Sequence, residues 1–255
     1  MKLSRILVAL DVSPEAQAGL KSAVELAGRA GARLSAVYIE DENWYQATQT
    51  SIVRHVSRHT GETIKVNEKE IARQSKAVKT RLEHQVTQIS QEWKVEYNCR
   101  SYRGQIDQEL INASEDAELV VIGRRGSSFH TKDELGSTAR YLVDNCSSPV
   151  LIWSAFGKWP AQFYGISGDE NSYAAVSEWV MFLSRLLHKD VRMIHLHDHQ
   201  VQTGEEIKIQ KVQHAHDIYQ WSGSGLVVIN RKDELFKEVD LHHFVASMYN
   251  PVLLL

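Results

Sequence analysis

Leu119-Val120-Val121-Ile122-Gly123-Arg124-Arg125-Gly126, then nine residues, then Gly136-Ser137-Thr138: this stretch decides the fold class and supplies the candidate site. Four apolar residues without alternation read as a strand buried on both faces, the habit of a parallel sheet. Glycines directly after such a strand let the backbone approach an anion closely and take up positive φ. Successive N–H groups in the loop would form an anion-binding nest. A helix opening at Ser137 adds unpaired N–H groups and the positive end of its dipole. The Ser137 and Thr138 hydroxyls can donate as well. Open α/β sheets bind ligands beyond the carboxyl ends of their strands, where this loop falls. The pattern fits a phosphate site. The bare spacing fits equally a glycine-rich turn with an N-cap and no ligand.

The surrounding elements repeat. Ser148-Pro149-Val150-Leu151-Ile152-Trp153 and Asn250-Pro251-Val252-Leu253-Leu254-Leu255 are one phrase written twice, about 100 residues apart. In each, proline opens a short apolar strand, a position where its missing N–H costs little. Before the first phrase, Ile6 to Leu10 reads as a buried strand. Ser13 then caps a helix with Pro14 at its first position, ending near Ala30 before Gly31. Leu34 to Ile39 is a second strand, and Val66 to Trp93 a long amphipathic helix with apolar residues three, four and seven apart. Val95, Tyr97 and Cys99 alternate as a third strand, and Ile106 to Ala113 is a helix after Gly104. A last helix covers about Ser137 to Asn145. The second series is shorter: strands at Phe163–Ser167 and Val191–His197, a helix over Ala174–Leu187, Gly225 to Ile229 as fourth strand, and a helix over Leu241–Met248. Only Glu205 to His214 stands where the long central helix would be. Strands alternating with helices mean α/β with a mostly parallel sheet. The division is residues 1–153, a linker over 154–160, and 161–255.

Composition bounds the rest. The chain has 255 residues, 43% hydrophobic and 24% charged, with 29 basic against 32 acidic residues, an ordinary globular balance without a nucleic-acid signature. Cys99 and Cys146 form neither a metal spacing nor a disulfide framework, so a reducing, cytoplasmic compartment is expected. No run approaches the ~20 apolar residues of a membrane span, and Ile6 to Leu10 is too short for a signal-peptide core. No membrane association is expected.

Gly-x2-Gly-x9-Gly-Ser after a hydrophobic strand, closing on Ser148-Pro149-Val150-Leu151-Ile152, resembles the universal stress protein family. The resemblance takes in Ile6 to Asp11, Ser13-Pro14-Glu15, Arg103-Gly104 and the element order to residue 153. Residues 159 to 255 are similar to a second, eroded copy. The resemblance implies two tandem Rossmann-like domains of the adenine nucleotide alpha hydrolase type, each with a five-stranded, mostly parallel sheet. It also implies ATP, with or without Mg²⁺, as a regulatory ligand with weak or absent hydrolysis. Asp11 and Val37 would lie by the adenine and ribose, and Ala9 and Ile122 would line the base. Gly123, Gly126, Gly136, Ser137 and Thr138 would hold the phosphates, with Arg125 beside them. Asp133 and Glu134 depart from the pattern, and would repel a triphosphate unless they point outward, share Mg²⁺ or are offset by Arg124 and Arg125. In the second copy Asn230-Arg231-Lys232-Asp233 replaces the glycine pair, and Ser167 or Gly168 falls where the aspartate stood. That half is not expected to bind nucleotide.

Other constellations are weaker. His195, His197 and His199 would share a strand face and could take Zn²⁺ with His214 and His216 or His242 and His243. Without a supporting cysteine or glutamate motif they read more simply as strand-capping and surface residues. Asn43 to Lys65, with Trp44 and Tyr45, is either a short helix over the ligand or a loose excursion. Its Arg54, His55, Arg58 and His59 are too few to argue for nucleic acid. Cys146 reads as a packing residue. No P-loop, nucleophile elbow or zinc-protease motif occurs. The rival functions are an adenylyl-type or slow ATPase enzyme on the same fold and a scaffold without nucleotide. Finally, apolar strands at Val150 and Val252 would each expose an edge unless they pair. An intrachain pseudo-dimer, with those strands antiparallel at its centre, is therefore expected, and a further homodimer is compatible with it.

Overall fold

The structure is a computed structural model that describes residues 1–49, 54–56, 63–65, 68–126, 134–155, 158–196, 208–212, 217–219 and 225–255. In chain order, β1 (Arg5–Leu10), α1 (Pro14–Ala30) and β2 (Arg33–Asp41) lead to α2 (Glu42–Gln49) and the small hairpin β3 (Arg54–Val56) and β4 (Thr63–Lys65). Then follow α3 (Glu68–Glu92), β5 (Tyr97–Gly104), α4 (Ile106–Ser114), β6 (Leu119–Gly123), α5 (Ser137–Asn145) and β7 (Val150–Trp153). The second series is β8 (Gln162–Ser167), α6 (Glu170–Leu187), β9 (Asp190–Leu196), β10 (Lys208–Val212), β11 (Leu226–Ile229), a 3-10 turn at Glu234–Lys237, α7 (Leu241–Ser247) and β12 (Val252–Leu254).

Ten strands form one sheet in the order β10-β9-β8-β11-β12-β7-β6-β1-β2-β5. Each series contributes five strands in the same internal order, all parallel to their neighbours. The expected α/β class and parallel sheets are borne out. The two sets join at one antiparallel pair, β12 on β7, with Val252 opposite Ile152, Leu253 opposite Leu151 and Leu254 opposite Val150. The sheet is apolar on both faces because helices cover both. Leu7, Val37, Val120, Ile152, Ile229 and Leu254 lie in the cluster with Leu110 of α4, Leu142 of α5 and Phe244 of α7. Val8, Leu34, Val121, Leu151 and Leu253 lie in the other, with Leu20 of α1, Val86 of α3 and Leu183 of α6. Both clusters run unbroken across the β7–β12 junction, so the apolar stacking on the two series is shared.

Local signals explain most boundaries. Ser13 accepts from the Ala16 N–H at 3.1 Å to cap α1, and Gly31, with φ +66°, ends that helix as only glycine does easily. Within Glu205 to His214, the stretch that stands where the long central helix would be, Lys208–Val212 is β10, parallel to β9 at the sheet edge. Helix α6 begins four residues before Ala174, at Glu170, because Asp169 caps it by accepting from the Ser172 N–H at 2.8 Å.

Candidate functional site

At the carboxyl ends of β1, β2 and β6 lies a cavity of about 460 Å³, within the range of small-molecule sites. Ala9, Asp11, Val37, Ile122, Gly123, Arg125, Gly126, Gly136, Ser137 and Thr138 all line it. Parallel pairing brings this about: β1 sits between β2 and β6, so their C-terminal ends meet at one rim. One end of the cavity is backbone-rich, built from the loop after β6 and the first turn of α5. The rest of the lining includes the apolar Val37, Ile39, Ile106, Leu110 and Trp44, with Asp41 among them. Trp44, in the segment read as either a short helix over the ligand or a loose excursion, lies in α2 and is 57% exposed. Its helix is held by Tyr45, whose hydroxyl donates to Glu40 at 2.9 Å, with the Arg103 guanidinium 3.9 Å from the Tyr45 ring.

The loop is held from several sides. The Gly136 N–H donates to the Arg124 carbonyl at 3.0 Å, and the Arg124 N–H to the Trp153 carbonyl at 2.8 Å. Asp11 accepts from the Ser13 N–H at 2.8 Å and from the Ser13 hydroxyl. Arg125 donates from Nη2 and Nε to Glu15 at 2.9 and 3.2 Å. Glu15 is buried, so this pair is shielded from salt in a way surface pairs are not. Among the described residues no side chain caps α5, whose N-cap is Gly136, and its first turn, Ser137, Thr138 and Ala139, lines the cavity. Such a terminus favours an anion electrostatically.

The glycines do not supply the positive φ expected of them. Among the described glycines only Gly31 has a positive φ, so left-handed backbone is not what Gly123, Gly126 or Gly136 supplies. A Cβ on Gly123 would lie 2.9 Å from the Ala16 nitrogen and 3.0 Å from Glu15 Cβ, so this glycine lets α1 dock on β6. A Cβ on Gly126 would lie 3.2 Å from Asp11 Oδ2, and one on Gly136 3.2 Å from the Arg124 oxygen. Arg124 also lines the cavity, but its guanidinium is engaged elsewhere. It is buried, its Nη2 donates to the Asn250 carbonyl at 2.8 Å, and burial, then neighbouring Arg125, lowers its pKa to about 10. Glu134 is exposed and does not line the cavity, while Asp133 lies outside the described residues.

The corresponding place in the second series is filled by the chain itself. Ile6 pairs with Leu119 as Phe163 pairs with Leu226, which makes Asn230-Arg231-Lys232-Asp233 the counterpart of Gly123-Arg124-Arg125-Gly126 and Gly168 that of Asp11. Asp233, 3% exposed, accepts from the Gly168 N–H at 2.9 and 3.0 Å and from the Leu235 N–H at 2.8 Å. Burial raises its pKa while these N–H groups pull it down. Asp169 accepts from the Glu234 N–H at 3.1 Å as well as from Ser172. Of the candidate zinc residues, His195 is 1% exposed and bonded through Nδ1 to Ser167 Oγ at 2.9 Å, and His242 lies 2.9 Å from Asp144. His197, His199, His214 and His216 lie outside the described residues. Among the described residues no group of three or more His, Cys, Asp or Glu is placed to hold a metal. Cys146 is buried, 3.5 Å from Ser114 Oγ.

The sequence model of the universal stress protein family matches residues 2–153, which is β1 through β7. The chain belongs to the universal stress protein family. Two solved structures extend the likeness over both series of this universal stress protein. One is a universal stress protein from Archaeoglobus fulgidus DSM 4304, 14% identical, with TM-score 0.66, covering 99% of this chain and 96% of that one. The other is a functionally unknown protein from Pseudomonas aeruginosa PAO1, 14% identical, with TM-score 0.62, covering 99% and 92%. At such identity they show the fold. No curated protein matches the chain. Among the described residues no helix is long and apolar enough to cross a membrane.

Proposed function

We propose that residues 1–153 bind one molecule of ATP as a regulatory ligand in stress signalling, and that residues 161–255 bind none. The observation that carries this reading is the convergence of all ten motif residues on one cavity, polar at the loop and apolar toward Trp44. β6 and β2 are two strand spacings apart, about 10 Å, room for phosphates at the α5 terminus and a base against Val37, Ile39 and Trp44. Arg125, paired with Glu15, lies at the phosphate end, and any Mg²⁺ would be carried on the triphosphate. Little or no hydrolysis is part of this reading: the carboxylates lining the cavity are Asp11, which accepts from the Ser13 N–H, and Asp41, which accepts from the Asn43 N–H. In the second series, Asp233 and Asp169 already take the N–H groups that an anion would need.

The reading includes an intrachain pseudo-dimer of an intact and an eroded copy, supported by the antiparallel β7–β12 pairing and the shared strand order. A cytosolic setting accords with the free thiols Cys99 and Cys146. No nucleic acid or membrane partner enters this reading. Asp11→Ala tests it. Removing the carboxylate leaves nucleoside hydroxyls unpaired at a cost of about 1–3 kcal/mol, which is a Kd about 5- to 150-fold higher. Calorimetric titration measures this, and an unchanged Kd would remove Asp11 from the site.

A further inference from the structure

Arg124 and Arg231 are counterparts in the two series, and they reach across the junction reciprocally. The Arg124 N–H donates to the Trp153 carbonyl at 2.8 Å and the Arg231 N–H to the Leu255 carbonyl at 3.1 Å, each at the end of its own central strand. The side chains then cross. Arg124 Nη2 donates to the Asn250 carbonyl at 2.8 Å, and Arg231 Nη2 to the Ser148 carbonyl at 2.9 Å. Those two carbonyls precede the strand-opening prolines, Pro251 and Pro149.

Arg231 does more than mirror Arg124. Its Nη1 donates to the Val143 and Cys146 carbonyls at 3.1 and 2.6 Å, and its Nε and Nη2 to the Leu255 and Leu254 carbonyls at 3.1 and 3.4 Å. With Ser148, that accounts for five contacts, matching the five N–H donors of a guanidinium. Val143 and Cys146 lie at the C-terminal end of α5, where orphan carbonyls and the negative dipole end welcome a cation. The opposite end of this short helix faces the cavity. The motif loop is held in the same way, since Arg124 lies between Gly123 and Gly126 and is anchored on Asn250.

We propose that Arg231 is a positioning residue for the phosphate end of the site in the other copy. It fixes α5 from behind, while Arg124 ties the facing loop to the same junction. The eroded copy thereby sets the distance between the two backbone walls that an oligophosphate would bridge. This rests on the nucleotide reading and adds a specific division of labour: Arg231 acts on the phosphates and not on the nucleoside. α5 is short enough, about 13 Å at 1.5 Å per residue, to move as a rod when its capped end is released.

The test is calorimetric titration of ATP and of adenosine into the full chain and into Arg231→Ala. Loss of the cap is expected to reduce the ratio of ATP to adenosine affinity at least tenfold, with adenosine affinity unchanged within about twofold. Arg231→Lys keeps the charge but cannot reproduce the five-donor fork, so its ratio is expected to fall between the two. If the alanine variant does not fold, the lysine variant is read by the same ratio. A folded variant whose ratio equals that of the parent, or whose two affinities fall together, would overturn the positioning role alone. A parent chain that binds neither ATP nor adenosine would overturn the nucleotide reading and this inference with it.

Discussion

Gly136→Val is expected to abolish measurable ATP binding while the chain remains folded. Gly136 has φ −58° and ψ 148°, a conformation open to valine, so the backbone itself is not strained. The conflict is with the loop: a Cβ at this position would lie 3.2 Å from the Arg124 oxygen and 3.4 Å from Arg125 Cα. These are main-chain atoms held by the Gly136–Arg124 and Arg124–Trp153 hydrogen bonds, so they cannot swing aside as a side-chain tip would. Valine therefore pushes the Gly123–Gly126 loop away from the α5 terminus and separates the two groups of N–H donors. Overpacking costs about 1–3 kcal/mol, which a domain with about 5–15 kcal/mol of stability survives. The ligand, by contrast, needs both walls at once, and a loss of at least a hundredfold, about 2.8 kcal/mol, is expected. Equilibrium dialysis with ATP, alongside a urea melt, checks both halves of the statement. A folded variant that binds as the parent does would take the phosphates away from Gly136.

Deleting residues 252–255 is expected to have the largest effect on stability. Val252, Leu253 and Leu254 are all buried, β12 being paired with β7 on one side and β11 on the other. Burial of such side chains stabilises by about 1.5–3 kcal/mol each, so the three together approach the whole stability of a domain. The deletion also removes the Leu254 and Leu255 carbonyls that receive Arg231. It leaves two apolar strands, β7 and β11, with open edges, the arrangement that drives pairing between chains. Scattering and thermal melts should show a self-associating protein with a markedly lower Tm, its first copy destabilised along with the second. A soluble monomer as heat-stable as the parent would mean that the two series do not depend on the central pair.

What could be read in the sequence follows physical rules of thumb. β1, β6, β7 and β12 were legible because strands buried on both faces are continuous apolar runs, and α1 because Ser13-Pro14 and Gly31 mark its ends. The edge strand β10 was not: Lys208-Ile209-Gln210-Lys211-Val212 has no strong alternation of its own, and its pairing with β9 is tertiary. The start of α6 was available in Asp169-Glu170, a capping signal that precedes the apolar periodicity. The ten motif residues converge as expected, yet the reasons for the glycines differ, because docking of Ala16 on Gly123 depends on how α1 packs and not on local spacing. Arg124 illustrates the same limit. Beside a glycine it read as a charge to offset Asp133 and Glu134, while its partner, Asn250, is 126 residues away. One signal was present and unused: arginine stands second in both Gly123-Arg124-Arg125-Gly126 and Asn230-Arg231-Lys232-Asp233, although the glycines around it do not survive in the second.

The central claim is that an intact site and a self-filled one share a single sheet, and the number of ATP molecules bound per chain tests it most directly. Isothermal titration of nucleotide-stripped, full-length protein with ATP is predicted to give one site per chain, and Gly136→Val, which pushes against the main chain of Arg124 and Arg125, to give none. Two equivalent sites, or one site that persists in Gly136→Val, would contradict the account.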